Sequence, residues 1–165
     1  MKKTLTILIL LLTIFVSNVG GVLQFSEAEM QEMVQDMMAK LRVEDIRASE
    51  FSPQLLLEYM ELRGIKHPEV VYKQAVLETG WFKHIRCTEY NNYFGMKKAK
   101  VREHCQLGVW KKHATYEHWT LSVDDYKYWQ EYWEGEGYSQ RNYYSFLSEV
   151  GYATAKNYTR TLKQI

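Results

Sequence analysis

Short amphipathic helices limit what this chain can fold into more than any other sequence feature. Apolar residues recur at helical spacing between Glu27 and Leu41, and Ser26 stands where an N-cap is expected. Further helices are predicted over 53–62 and 68–78, because each starts near a proline and is followed by a glycine. With no internal repeat and no low-complexity tract, the chain is predicted to form one compact, mainly helical domain.

The first 21 residues have the pattern of a secretory signal. Met1-Lys2-Lys3 is basic, Leu5–Val16 is an apolar run of roughly 12 residues, and small residues follow it. Because the run is short for a membrane span, we expect export to the periplasm or the exterior and no stable span afterwards. An uncleaved N-terminal anchor is the alternative. Residues 22–49 are then an amphipathic lead-in helix, and residues 50–165 are the main domain.

Charge and aromatic content indicate the kind of ligand. The chain has 21 Lys and Arg against 20 Asp and Glu, and signal removal would take away Lys2 and Lys3. A domain so close to neutral gives no electrostatic reason to expect a nucleic-acid partner. Aromatic residues make up 15% of the chain, with 13 Tyr and 5 Trp. Since a buried Tyr hydroxyl needs a hydrogen-bond partner, some rings are predicted to line a groove for a polar, flat-faced ligand.

The two cysteines, Cys87 and Cys105, can be interpreted in two ways. In an exported protein they can form a disulfide, which would stabilise the fold by about 3 kcal/mol on the loop-entropy argument. The alternative is two unpaired buried thiols. A metal site is not expected, because His84 and His104 do not stand at a recognised ligand spacing.

The third predicted helix places a carboxylate at its end. Gln74 and Glu78 are one turn apart on the same face, and Trp81 and Phe82 follow the helix. A carboxyl group held against apolar rings has its pKa raised, as general-acid cleavage of a glycosidic bond requires. The alternative is a Glu that merely caps the helix or forms a salt bridge there with Lys83, His84 or Arg86.

Four segments in order resemble the signatures of the glucosaminidase-type peptidoglycan hydrolases, glycoside hydrolase family 73. They extend over most of 50–165 and are Gln74–Trp81, Asn91–Met96, Tyr116–Trp119 with Ser122–Tyr126, and Gly151–Thr154 with Asn157–Tyr158. The resemblance implies a lysozyme-like α+β domain, mainly α, with a short β-hairpin flanking a cleft for bacterial cell-wall glycan strands. Residues 50–165 are therefore interpreted as a glucosaminidase-type catalytic domain.

The resemblance also implies roles for individual residues. Glu78 becomes the general acid, and Tyr152 and Tyr158 are expected near it. The predicted substrate-binding positions are Gln74, Trp81, Asn92, Tyr93, Phe94, Gly95 and Tyr116. Asn can hydrogen-bond sugar hydroxyls and N-acetyl groups, aromatic rings suit pyranose faces, and Gly allows close backbone approach. An ordinary turn at Asn92 and a core position for Tyr93 are the alternatives.

The second catalytic carboxylate is harder to find. Glycosidases usually place a second Asp or Glu roughly 5–10 Å from the acid. The predicted hairpin between Lys98 and Tyr116 offers only Glu103, which is our first candidate. Glu89, on the Cys87 loop before the hairpin, is a further candidate. An exposed charge paired with Arg102 or Lys100 is the alternative for Glu103. Without a second carboxylate, the substrate's own N-acetyl group can assist, or a transglycosylase mechanism becomes possible.

The rest of the domain is predicted to be scaffold. Ser122 and Asp125 form the pattern of a capping box, and Tyr126, Trp129 and Trp133 then recur on one face that we interpret as core. A basic cluster is predicted on the hairpin, where it either attracts anionic wall polymer or is simply solvated. Its members are Lys97, Lys98, Lys100, Arg102, Lys111 and Lys112.

The sequence therefore favours a monomeric peptidoglycan hydrolase without a cofactor. It would cut the β-1,4 bond on the reducing side of N-acetylglucosamine, with Glu78 as acid. A lytic transglycosylase on the same fold and a non-catalytic glycan-binding domain are the two alternatives.

Overall fold

The computed structural model describes residues 25–165, so the predicted signal and the start of the lead-in segment lie outside the described residues. The chain divides into two compact units, one ending at Ala48 and one spanning Ser49–Ile165. In the first, helix α1 (Glu27–Arg47) begins with a capping box between Ser26 and Glu29, which confirms the predicted N-cap. Within 25–165, no helix is both long and apolar enough to cross a membrane.

The second unit is mainly helical and contains one small sheet, as predicted. Both proline-started helices occupy the predicted segments to within one residue. The elements in chain order are α2 (Pro53–Leu62), α3 (Pro68–Thr79), α4 (Ile85–Thr88), β1 (Gly108–Trp110), β2 (His113–Thr115), α5 (Trp119–Gly135), α6 (Tyr143–Glu149) and α7 (Tyr158–Leu162).

The core of this unit is formed where α2 meets α3 and α5, and α3 also packs against α7. Completely or almost completely buried side chains come from each of these helices, among them Leu56, Val71, Ala75, Val123 and Leu162. Burial of such side chains is the main free-energy term that favours the folded state. Because α3 is held on two sides, its carboxyl-terminal end, where Glu78 lies, has a fixed position.

The β-hairpin is short and tightly turned. Strands β1 and β2 pair antiparallel, with Val109 opposite Ala114. Lys111 and Lys112 both have positive φ angles, of 44° and 74°, as a two-residue hairpin turn requires. The chain before the hairpin is tied to β2 as well, since Ala114 N donates to the carbonyl of Met96 over 2.8 Å.

Helix α5 begins earlier than the sequence pattern predicts. Its N-cap is His118, whose side chain accepts a hydrogen bond from Thr120 N, so the predicted capping box of Ser122 and Asp125 is wrong. Both residues are buried inside the helix instead. The Asp125 carboxylate binds both terminal nitrogens of Arg102, over 2.8 and 3.0 Å. Asp125 therefore forms an ion pair with a residue distant in the sequence, although the local pattern predicted that it would cap the helix.

Candidate functional site

A cleft of about 630 Å³ opens at the carboxyl-terminal end of α3. Its walls come from Leu77 and Glu78, the segment 94–99, His113 of β2, Trp129 of α5, and the chain from Val150 to Thr161. Arg86 and Arg102 also line it, so seven separate stretches of the second unit converge on one concave surface. A cleft of this size is large enough for a small polar ligand such as a few sugar rings.

Glu78 lies largely buried in the wall of the cleft, with 19% of its side chain exposed. Burial raises the pKa of its carboxyl above the ordinary value, while the Arg86 guanidinium and a hydrogen bond with Tyr158 act in the opposite direction. The Arg86 Nη2 atom donates to the backbone carbonyl of Glu78 over 2.7 Å and lies 3.7 Å from its Oε2. The pKa of the Glu78 carboxyl is therefore raised, and Arg86 holds the residue in place. Glu78 thus has the features both of a general acid and of a salt-bridged residue at a helix end.

Gly95 brings the backbone of the 91–96 loop directly against the Glu78 carboxylate. Its φ angle is 65°, and a Cβ atom added there would lie 2.6 Å from Glu78 Oε2. No side-chain-bearing residue fits at that distance, and the left-handed conformation also favours glycine. The predicted close approach at Gly95 is thus present, and it contributes to the burial of Glu78.

Asn92 determines the shape of this loop. Its side chain is buried, and its amide group forms hydrogen bonds with backbone groups. Its amide nitrogen donates to the carbonyls of Met96 and Ala114, over 2.9 and 2.8 Å, and its Oδ1 accepts from Met96 N. An amide with these partners has little capacity left for a sugar. Asn92 therefore holds Gly95 at the cleft from behind, in contrast to the predicted direct contact with substrate.

Tyr158 connects Glu78 to a buried chain of hydrogen bonds. Gln74 Nε2 donates to the Tyr158 hydroxyl over 3.3 Å, and Gln74 Oε1 accepts from Tyr126 over 2.6 Å. The Tyr126 and Tyr143 hydroxyls are 2.7 Å apart, and Gln130 Nε2 lies 2.6 Å from the latter. Each side chain in this network has a hydrogen-bond partner, so the network orients the Tyr158 hydroxyl toward Glu78. Gln74 is completely buried and supports the site from the core, which differs from its predicted place in the substrate-binding surface.

Tyr152 and Tyr158 both line the cleft, as the resemblance implied. Burial and the nearby Glu78 carboxylate raise the pKa of each phenol, so both hydroxyls stay protonated near neutral pH. The Tyr152 hydroxyl donates to the carbonyl of Phe94 over 2.5 Å, which fixes the loop from the opposite side. Trp129 packs edge-on against Tyr152 and also lines the cleft, so it is not the purely core residue that its helical stripe predicted.

Several predicted substrate-binding residues do not reach the cleft. Trp81 is 67% exposed after the end of α3, on a surface outside the cleft lining. Tyr93 is buried and stacks on Phe51, with ring centroids 4.4 Å apart. Tyr116 is buried and donates to Asp125 over 2.6 Å. Phe94 is buried as well, but it borders the cleft together with Gly95.

The predicted second carboxylate, Glu103, is exposed and lies outside the lining of the cleft. Its neighbour Arg102 turns inward to Asp125, so the predicted pairing between Arg102 and the Glu103 carboxylate is not formed, although Arg102 does donate to the Glu103 carbonyl. Among the described residues, Glu78 is the only acidic side chain that lines the cleft. The structure therefore brings together one carboxyl group, two tyrosines and an arginine.

His113 and Trp129 are among the lining residues that the sequence did not place at the cleft. His113 of β2 contacts the Gly95 carbonyl through Nδ1 over 3.0 Å, and burial lowers the pKa of its imidazole. Trp129 was assigned to the core on its spacing alone. Neither residue carries a local pattern that separates a cleft position from a core position, because only the packing of β2 and α5 decides it.

The two cysteine thiols are unpaired, so the disulfide predicted from export is not present in this structure. The Cys87 thiol donates to the carbonyl of His84 over 3.0 Å, and the Cys105 thiol lies 3.6 Å from the carbonyl of Leu121. Each thiol thus has its own backbone partner on a different part of the fold. Within 25–165, no group of three His, Cys, Asp or Glu side chains could hold a metal ion.

Both thiols are expected to react slowly in the folded protein. Burial raises the pKa of each, and for Cys105, beside Asp125 and Asp124, it rises to about 12. Because the thiolate is the reactive form, alkylation by iodoacetamide at pH 8 should be slow natively and fast in denaturant. Mass spectrometry of timed samples measures this, and oxidised protein from an exporting host that shows no free thiol would contradict the unpaired state.

Comparison with known proteins agrees with the sequence resemblance. A family model described as "Glucosaminidase: Mannosyl-glycoprotein endo-beta-N-acetylglucosaminidase" matches residues 54–165. Neither the curated proteins nor the solved structures yield a match. The matched range contains α2 except its first residue, helices α3 to α7, the hairpin and every residue that lines the cleft.

Proposed function

Because the chain belongs to the glucosaminidase family, we propose that it cleaves the β-1,4 bond on the reducing side of N-acetylglucosamine in peptidoglycan, with Glu78 as general acid. The family supports a hydrolase of cell-wall glycan in general terms. The finer proposal depends mainly on one observation: a largely buried carboxyl group with a raised pKa faces an open cleft. Perturbed acids in clefts are the usual mark of proton-transfer sites.

The acid step follows from the surroundings of Glu78. In its protonated form the carboxyl group donates to the glycosidic oxygen, and the leaving sugar departs as an alcohol. The resulting carboxylate is then stabilised by Arg86 and by the Tyr158 hydroxyl, which both favour the charged form. The opposing effects keep the proton available while limiting the cost of releasing it.

The opposite face of the reacting sugar needs a second group. Since Glu78 is the only carboxyl group lining the cleft within residues 25–165, the substrate's own 2-acetamido group takes this role in our proposal. Its carbonyl oxygen attacks the anomeric carbon as the glycosidic bond breaks, and water then opens the cyclic intermediate with Glu78 as base. The Tyr152 and Tyr158 hydroxyls stand beside the acid, where they can orient the acetamido group.

Product analysis tests the proposal. Purified protein and its Glu78→Gln variant are incubated with peptidoglycan, and the released ends are identified by mass spectrometry. Reducing N-acetylglucosamine ends from the wild type alone are expected. Anhydro-muramic ends would indicate a lytic transglycosylase, which the single carboxyl group also permits. Binding without cleavage by either protein would indicate a non-catalytic glycan-binding domain.

Activity is expected to fall as the pH rises through the raised pKa of Glu78, because the acid must be protonated. Arg86→Gln removes the positive charge that lowers this pKa, so the descending limb of the kcat/KM profile should move to higher pH. Lys83→Gln makes the same charge change at an exposed position outside the cleft and should leave the limb in place. Identical limbs in Arg86→Gln and wild type would contradict the assignment.

A further inference from the structure

The cleft carries more positive charge than a neutral glycan requires. Four cationic side chains line it, namely Arg86, Lys97, Lys98 and Arg102, against the single acid Glu78. The two arginines are already engaged, Arg86 with Glu78 and Arg102 with the buried Asp125. No carboxylate of the described residues pairs with Lys97 or Lys98, and both side chains are exposed.

The backbone that carries the two lysines is held in place at the wall of the cleft. They follow Gly95, which contacts the Glu78 carboxylate, by two and three residues. The backbone around them is held by Gln106, whose amide donates to the Lys97 carbonyl over 3.1 Å and accepts from Ala99 N over 2.9 Å. The backbone of Lys97 also forms an isolated antiparallel β-bridge with His113 of β2. The two ammonium groups are therefore carried by a stretch of backbone that hydrogen bonds hold at one wall of the cleft.

The chemistry of the pair selects among glycans. A chain of N-acetylglucosamine alone offers hydroxyl and amide groups, which give two lysines no counter-charge. In peptidoglycan every second sugar carries a lactyl substituent, usually extended by a peptide with several carboxylates. Such carboxylates beside the scissile bond can form ion pairs with these unpaired ammonium groups, and because both lysines are exposed, added salt weakens the attraction.

We propose that Lys97 and Lys98 bind the carboxylates of the muramyl substituent and make the enzyme selective for acidic, peptide-bearing wall glycan over neutral glycan. This rests on the proposed function and deepens it, since it assigns a second binding contact to the same cleft. Glu78 acts on the glycosidic bond, and the two lysines bind the negatively charged substituent of the neighbouring sugar. The basic cluster predicted from the sequence is thereby divided, because Arg102 is structural and Lys111 and Lys112 lie at the hairpin turn.

The test compares one glycan in two charge states. Soluble peptidoglycan strands are freed of phosphate-containing polymers with hydrofluoric acid, and half are then amidated with methylamine to neutralise their carboxyl groups. The wild type should prefer the unmodified strands by about tenfold in kcat/KM, mainly through KM, as two partly exposed ion pairs allow. This preference should weaken as salt is added.

The variant Lys97→Gln/Lys98→Gln should lose the preference and cleave both substrates as the wild type cleaves the amidated one. Lys111→Gln/Lys112→Gln is the matched control, since it removes two adjacent exposed lysines outside the cleft lining, and it should keep the preference. An equal preference in the wild type and the Lys97→Gln/Lys98→Gln variant would overturn the proposal. So would a preference seen only while phosphate polymers are still attached.

The proposed catalytic function is tested separately by the amidated strands. Cleavage of these strands by the wild type but not by Glu78→Gln supports the function whatever the lysines do. If no glycan of either charge state is cleaved, the proposed function fails, and equilibrium binding to the two substrates then measures the charge preference by itself.

Discussion

Glu78→Gln is expected to lower kcat on peptidoglycan about a thousandfold, in the middle of the range that general-acid catalysis contributes. Gln has nearly the same shape, its backbone carbonyl still accepts the hydrogen bond from Arg86, and its side-chain oxygen can accept from Tyr158, but it has no acidic proton to transfer to the leaving oxygen. The fold should therefore persist while the chemical step fails. Initial rates of release of reducing ends, with circular dichroism as a check of folding, measure both effects.

Glu103→Gln is the matched control for this prediction. Its carboxylate is exposed and outside the cleft lining, so its rate should stay within about twofold of wild type, as is usual for surface substitutions. A large loss in Glu103→Gln would mean that the hairpin segment closes over the substrate and supplies a second carboxylate. Full activity in Glu78→Gln would remove the acid from the mechanism altogether.

Local sequence patterns predicted the helices well because their signals are short-range. The N-cap at Ser26 and the prolines that start α2 and α3 act within one turn, and the structure agrees with each. The relation between Gln74 and Glu78 was likewise predictable, since residues four apart share a helix face. The sequence predicted that the two side chains share a helix face, but it did not predict how deeply each is buried. Gln74 is completely buried, and Glu78 reaches the cleft.

Side chains on the loops were predicted less well, because their direction depends on partners far away in the sequence. Asn92 and Gly95 stand in the same short segment, yet one is buried by contacts to Met96 and Ala114 while the other faces Glu78. Ser122 and Asp125 matched a capping pattern, but Arg102 competes for the Asp125 carboxylate. Of the segments that carry the family resemblance, 74–81, 91–96 and 151–158 meet at the cleft and 116–126 does not line it, so the packing decides which segments, and which side of each, face the cleft.

Gly95→Ala is expected to reduce kcat up to about a hundredfold, because the added methyl group would press against the Glu78 carboxylate. The Cβ atom would lie 2.6 Å from Oε2 and 3.4 Å from the Arg86 guanidinium. Something must move by several tenths of an ångström, and displacements of that order in a catalytic group have effects of about this size. Strain from the left-handed φ angle adds about 1–2 kcal/mol of destabilisation.

Gly64→Ala separates these two effects. Gly64 has a similar φ angle of 68°, but its added Cβ would meet nothing within 4 Å. It should therefore show the loss of stability in denaturant unfolding without the loss of kcat. If Gly95→Ala and Gly64→Ala lose stability alike and both retain activity, the close approach of the loop does not position the acid. A selective loss of kcat in Gly95→Ala would instead mean that the backbone of this loop sets the geometry of proton transfer.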